Sequence, residues 1–201
     1  MYKVYKKTND IRKDSVIFQI AHSRITYNQI KHAEKLCTKN DLTLYRLPKP
    51  RQNEAGFRYA LIKGSHLTES KFTQCKNRYL KTNYYIGFMD IAHRIIKPKN
   101  VGKLDVSEVK FVYTSDKFRG KGYGKLIYDL VLRYEPFLLS GNTLHTDSFI
   151  HPSGSYYIWN NHISNKYNVY NLNTKTKKVE SYKTSRSYHV RYIASRKPME
   201  L

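Results

Sequence analysis

Six residues, Arg119-Gly120-Lys121-Gly122-Tyr123-Gly124, hold the densest chemistry in the chain. Glycines at alternate positions let a backbone approach a ligand closely and take positive φ without strain. Arg119 and Lys121 add positive charge beside them, which suits a pyrophosphate better than a neutral ligand. Such a string is only a turn unless a strand precedes it and a helix follows. Leu104 to Tyr113 alternates apolar and polar residues around β-branched and aromatic ones, which predicts a half-buried strand. Leu126, Ile127, Leu130 and Val131 fall at helical spacing, with Lys125, Asp129 and Arg133 opposite, which predicts a helix over 122–135 stopped by Pro136. A strand, a glycine turn and a helix in that order aim free N–H groups and the positive end of the helix dipole at one point, where an anion binds. The spacing fits neither a Walker loop nor the dinucleotide fingerprint.

The string does fit Arg/Gln-x-x-Gly-x-Gly/Ala at every fixed position, and it follows a Tyr-x-x-x-x-Phe-Arg-Gly-Lys-Gly lead-in from Tyr113. This resembles the coenzyme A pyrophosphate loop of the GNAT (N-acetyltransferase) superfamily. The resemblance implies acetyl-CoA as cofactor, held by Tyr113, Thr114, Arg119, Gly120, Lys121, Gly122, Tyr123, Gly124 and Lys125. It also implies an α/β GNAT fold: a mixed, largely antiparallel twisted sheet flanked by helices, here with a basic C-terminal extension. The reaction expected is acetyl transfer from a thioester to a primary amine, which needs a base, an oxyanion site and an acid for the departing thiolate.

In the family the oxyanion is met by a backbone N–H at the end of the fourth strand, which maps to Thr114 or a neighbour. Glu108 is the leading candidate base. It precedes Thr114 by an even number of residues on one strand and so shares its face, and several members carry a glutamate at the comparable place. The alternative is a strand glutamate paired with Lys110 or another lysine. The acid is where the chain departs from the pattern. Laying Asn-x-x-Ala-x-x-Leu-Tyr on Pro152 to Trp159 puts Trp159 where a tyrosine belongs, and an indole cannot supply the proton. Tyr156 or Tyr157 takes that role, or water does, or the scaffold is kept for binding alone.

The positioning elements can be read along the chain. Val16–Ile20 reads as a first strand, and Thr26 caps a helix expected to run from Tyr27 to about Lys39. Leu42 to Leu47 is a short apolar segment ended by Pro48. Phe57 to Lys63 and Tyr84 to Ala92 are expected strands, the second leading through the basic turn Lys97-Pro98-Lys99-Asn100 to the Leu104 strand, an antiparallel meander of the kind GNAT domains are built on. Leu138 to Thr146 is an expected strand, and Ser153 or Gly154 opens a helix carrying Tyr156 to Trp159. Two strands flank a turn at Asn173-Thr174, and Tyr188 to Ile193 is a further strand-like run. The organisation expected is a GNAT-like domain over 1–172 with a basic extension over 173–201 packed on it.

Composition bounds the partners. The chain has 201 residues, 37 basic and 15 acidic, for a net charge of +22. A field of that size favours coenzyme A, nucleic acid or an acidic protein surface, and repels polybasic peptides. From Lys166 to Leu201 nine basic residues stand against two acidic. Cys37 and Cys75 make no disulfide framework, and neither they nor His145, His151 and His162 show metal-ligand spacing, so no metal is expected. With no apolar run of membrane-spanning length and no signal-peptide core, a cytoplasmic protein is expected. The acceptor expected is a macromolecule, protein or aminoacyl-RNA, and the lysine, asparagine and tyrosine bias resembles that of phage-encoded members. The competing expectation is a GNAT scaffold that binds nucleic acid or a host protein with little or no catalysis.

Overall fold

The computed structural model describes residues 25–48, 55–66, 68–74, 78–141 and 154–201. The strand expected at Val16–Ile20, and His145 and His151, lie outside them. The architecture is α/β: one open, nine-stranded sheet with a few helices. The strands are β1 (Glu34–Lys39), β2 (Leu42–Pro48), β3 (Phe57–Lys63), β4 (Tyr85–Ile96), β5 (Leu104–Thr114), β6 (Phe137–Leu139), β7 (Asn168–Asn173), β8 (Lys178–Ser181) and β9 (Val190–Ser195). They lie in the order β1-β2-β3-β4-β5-β6-β9-β7-β8. Every pairing is antiparallel except β5 with β6, which are joined by a crossover through helix α2 (Tyr123–Val131). The stretch read as an extension supplies β8 and β9, and β9 is an interior strand between β6 and β7.

The helix expected over 27–39 is corrected. Helix α1 spans Tyr27–Lys31 only, closed by a capping box between Thr26 and Gln29. Glu34–Lys39 is instead the first arm of a hairpin, turned by Asn40 and Asp41 at φ 50° and 60°. Two consecutive left-handed residues are what a two-residue type I′ turn requires, and Asn and Asp tolerate that conformation best among non-glycines. Helix α2 also stops short of the expectation, at Val131, followed by turns through Tyr134.

Both sheet faces are covered by apolar clusters. On one face Leu44, Tyr59, Leu61, Met89, Ile91 and Val109 meet Ile127, Tyr128 and Val131 of α2 and Tyr156, Trp159 and Ile163 of a third helix. That helix, α3, runs through Gly154–Ile158, a π segment Trp159–Ile163 and a last turn Ser164–Lys166. Asp129 of α2 ties the two helices together, accepting from Tyr167 Oη at 3.0 Å and pairing with His162 and Lys166. Among the described residues no helix is long and apolar enough to cross a membrane.

Candidate functional site

The site is built on β5, and its key irregularity is at Lys110. Phe111 pairs with Asp90 of β4, but Val109 pairs with Ile91, so Lys110 is an extra residue bulged out of the ladder. A bulge bends its strand and breaks the two-residue alternation of faces. Val109, Val112 and Thr114 therefore lie on the face of α2, while Val106, Glu108, Phe111 and Tyr113 lie on the other. This corrects the expectation that Glu108 shares a face with Thr114: counting in twos fails across the bulge.

The bulge also coincides with the end of parallel pairing. Among the described residues β6 pairs with β5 only at Ser107 and Glu108, and beyond Leu139 its chain turns toward β9, with Ser140 N–H donating to the Tyr192 carbonyl at 2.8 Å. From Val109 to Thr114, β5 is paired with β4, and among the described residues no strand pairs with its other edge, so β5 and β6 splay apart there. Successive N–H groups of a strand point to opposite sides. Ser115 N–H donates to the Ile86 carbonyl of β4 at 2.8 Å, so the N–H of Thr114 points into the splay.

At the open end of this wedge the chain makes a short 3₁₀ turn, Asp116–Phe118, and enters the glycine loop. Gly120 and Gly122 have φ +73° and +81°, and a Cβ on either would meet no atom within 4 Å, so what these positions require is backbone conformation. Gly122 is the N-cap of α2, and the first helical bond runs from Leu126 N–H to its carbonyl at 3.2 Å. The N–H groups from Gly122 to Lys125 are thus the four that a helix start leaves without an intrahelical acceptor. Gly124 differs: a Cβ there would sit 3.2 Å from Ile158 Cδ1, so this glycine lets α3 approach α2. Tyr123 turns its ring to the core, edge-on to Phe118 at 5.7 Å. Arg119 is anchored by Nε to the Thr114 carbonyl at 3.1 Å and by a 2.9 Å ion pair with Asp116. Lys121 and Lys125 are exposed.

Glu108 stands at the vertex of the wedge, six residues or about 18 Å along β5 from Thr114. Its side chain is 3% exposed and is held by Arg94, by Lys110 at 3.0 Å and by Arg191 at 3.0 Å. Burial would raise its carboxyl pKa, but Lys110, Arg191 and Arg94 outweigh that and hold it below the usual glutamate range. Arg191 also donates to the Ser140 carbonyl, through Nε at 2.9 Å, and so fastens β9 and the end of β6 to β5. Sequence reasoning missed Arg191, Ser140 and the Lys110 bulge, since strand pairing over such separations leaves no local mark.

The two tyrosines on α3 are sorted by burial. Tyr156 is in the core beneath the sheet, and Tyr157 is 55% exposed. Trp159 is fully buried between Tyr128 and Tyr192, with ring centroids at 5.8 and 6.1 Å. Among the described residues no group of His, Cys, Asp and Glu could hold a metal ion. No family model, curated protein or solved structure matches this chain.

Proposed function

We propose that this protein binds acetyl-CoA along the splayed edge of β5 and transfers its acetyl group to a primary amine of a macromolecule, on a GNAT-type scaffold. The observation that carries this reading is the glycine loop at the mouth of the wedge, where the N–H donors starting α2 are left uncapped by any side chain and Lys121 and Lys125 stand exposed beside them. The pyrophosphate sits there. An extended arm bearing amides then follows β5 as an added strand would, using the backbone groups of residues 109–114 that no described strand pairs, and brings the thioester toward the vertex. The Thr114 N–H and its alternate neighbours on that edge are the available oxyanion donors.

In this reading Tyr157 is the better placed of the two tyrosines to donate a proton, because its hydroxyl reaches solvent while Tyr156 is in the core. Glu108 is a poor base where it stands, since three cations favour its charged form and lower its affinity for a proton. The amine then loses its proton to water. Calorimetric titration with acetyl-CoA tests the reading: micromolar binding is expected, and no binding at millimolar ligand overturns it.

One observation favours a second reading, a binding module with weak or no catalysis. Trp159, where the resemblance would put the acid, is wholly committed to the core, and Glu108 is wholly committed to ion pairs. Under that reading coenzyme binding persists, yet no macromolecule in a lysate acquires labelled acetyl.

A further inference from the structure

At the same end of the sheet, next to the glycine loop, a cavity of about 320 Å³ opens between the end of β3, the start of β4 and the 3₁₀ turn before the loop. Its walls include Lys63, Lys71, Asn83, Tyr84 and Lys117, with Asp41 as the one carboxylate. Two of its three ammonium groups are held in place by neutral acceptors. Lys71 Nζ donates to the His66 carbonyl at 2.6 Å and lies 5.0 Å from the Tyr84 ring centroid, and Lys117 Nζ donates to Asn83 Oδ1 at 2.6 Å. Among the described residues none of the three lysines pairs with a carboxylate. Among the described residues the positive charge is therefore positioned without an ion-pair partner, with part of the side-chain entropy of Lys71 and Lys117 already lost before a ligand arrives.

We propose that this cavity receives a phosphate of single-stranded nucleic acid. The wall combines the two features such strands use, fixed cations for the phosphate and an aromatic ring beside them. A recess admits the sugar–phosphate of a flexible strand, whereas a duplex would meet only the rim. The cavity adjoins the glycine loop through Lys117 and Phe118 but is lined by none of residues 119–125, so the site does not depend on the acetyl-transfer reading.

The test is fluorescence anisotropy of a labelled single-stranded RNA with the full chain, without coenzyme, across a salt series. The triple variant Lys63→Gln, Lys71→Gln, Lys117→Gln is expected to weaken binding at least about tenfold and to flatten the log–log salt slope by about 0.7, the contribution of the one phosphate that loses its lysines. Lys99→Gln, Lys103→Gln, Lys175→Gln removes the same charge from turns at the opposite end of the sheet, and is expected to change affinity less than about threefold. Circular dichroism checks that both triples fold. Equal weakening by the two triples, displacement of RNA as readily by polyglutamate as by unlabelled RNA, or no binding at low salt would each overturn the proposal.

Discussion

The glycine loop and the Glu108 cluster sit at the two ends of one stretch of β5, and they treat charge in opposite ways. At the loop, the donors starting α2 have no acceptor within their helix, and Lys121 and Lys125 stand exposed. At the vertex, Arg94, Lys110 and Arg191 converge on one buried carboxylate. In the proposed reading the loop is left open for a ligand. The vertex has already satisfied itself, and its product is shape: it holds β5, β6 and β9 together where the wedge begins. A carboxylate in a cleft is thus a weak sign of a base until its neighbours are counted.

The largest expected effect comes from placing charge in the open site. Gly122→Asp sets a carboxylate against the anion and is expected to weaken acetyl-CoA binding by more than about a hundredfold, a loss above ~2.7 kcal/mol. Gly122→Asn is the control, since asparagine tolerates left-handed φ nearly as well and carries no charge. It is expected to keep binding within about tenfold, as read by calorimetry. Equal losses in both variants would mean the loop's conformation matters and its electrostatics do not.

At the vertex the same logic predicts a stability effect. Glu108→Gln leaves three cations sharing a neutral amide. Loss of a fully buried pair partner costs about 3–5 kcal/mol, but Arg94 and Lys110 are 47% and 29% exposed, and water offsets part of the loss. A decrease of about 1–3 kcal/mol in urea unfolding is expected, with any acetyl-transfer rate changed less than about tenfold. A large rate loss at unchanged stability would restore Glu108 as the base.

How much of this was legible in the sequence divides along the same line. The loop is local chemistry: Gly120 and Gly122 need positive φ, and strand and helix periodicity on either side sufficed to place them. The strands at 57–63, 104–114 and the 168–181 hairpin were legible for the same reason. The vertex is not local. Glu108, Ser140 and Arg191 come together through sheet order, and one bulged residue, Lys110, reverses the face assignment of everything beyond it. The overlong helix at 27–39 is an intermediate case. Ile30, Ala33, Leu36 and Cys37 match helical spacing, but Asn40-Asp41 before a second β-prone run is a hairpin signal, and pairing of Glu34–Lys39 with β2 prevails over the helical pattern.

Acid titration sharpens the comparison further. Glu108 and Asp129 both have folded pKa values below the unfolded ones; for each, burial works upward and is outweighed, at Asp129 by Lys166, His162 and Tyr167. A depressed carboxylate stabilises the fold fully above its unfolded pKa, about 4.3 for Glu and 3.9 for Asp, and that contribution is lost as pH falls through the folded value. Stability is therefore expected to decline from about pH 4 downward, and Glu108→Gln to make that decline shallower. Parallel acid limbs for the two proteins would show that the vertex carboxylate titrates normally.

The smallest effects separate the glycines from one another. Gly120→Ala meets no neighbour, so its only cost is the left-handed backbone, about 1–2 kcal/mol. Gly124→Ala is in the first turn of α2 at ordinary φ, where alanine gains up to about 1 kcal/mol of helix propensity, while its Cβ presses on Ile158 at 3.2 Å. The two terms nearly cancel, and a net change within about 1 kcal/mol is expected. Coenzyme affinity discriminates better than stability. If Gly124 serves only to let α3 approach, Gly124→Ala binds acetyl-CoA within about threefold of the parent, and the double variant with Ile158→Val, which trims the contacted methyl, gives no further change. A tenfold loss from Gly124→Ala that Ile158→Val does not relieve would place the ligand against Gly124 itself and extend the anion site a full residue into the helix.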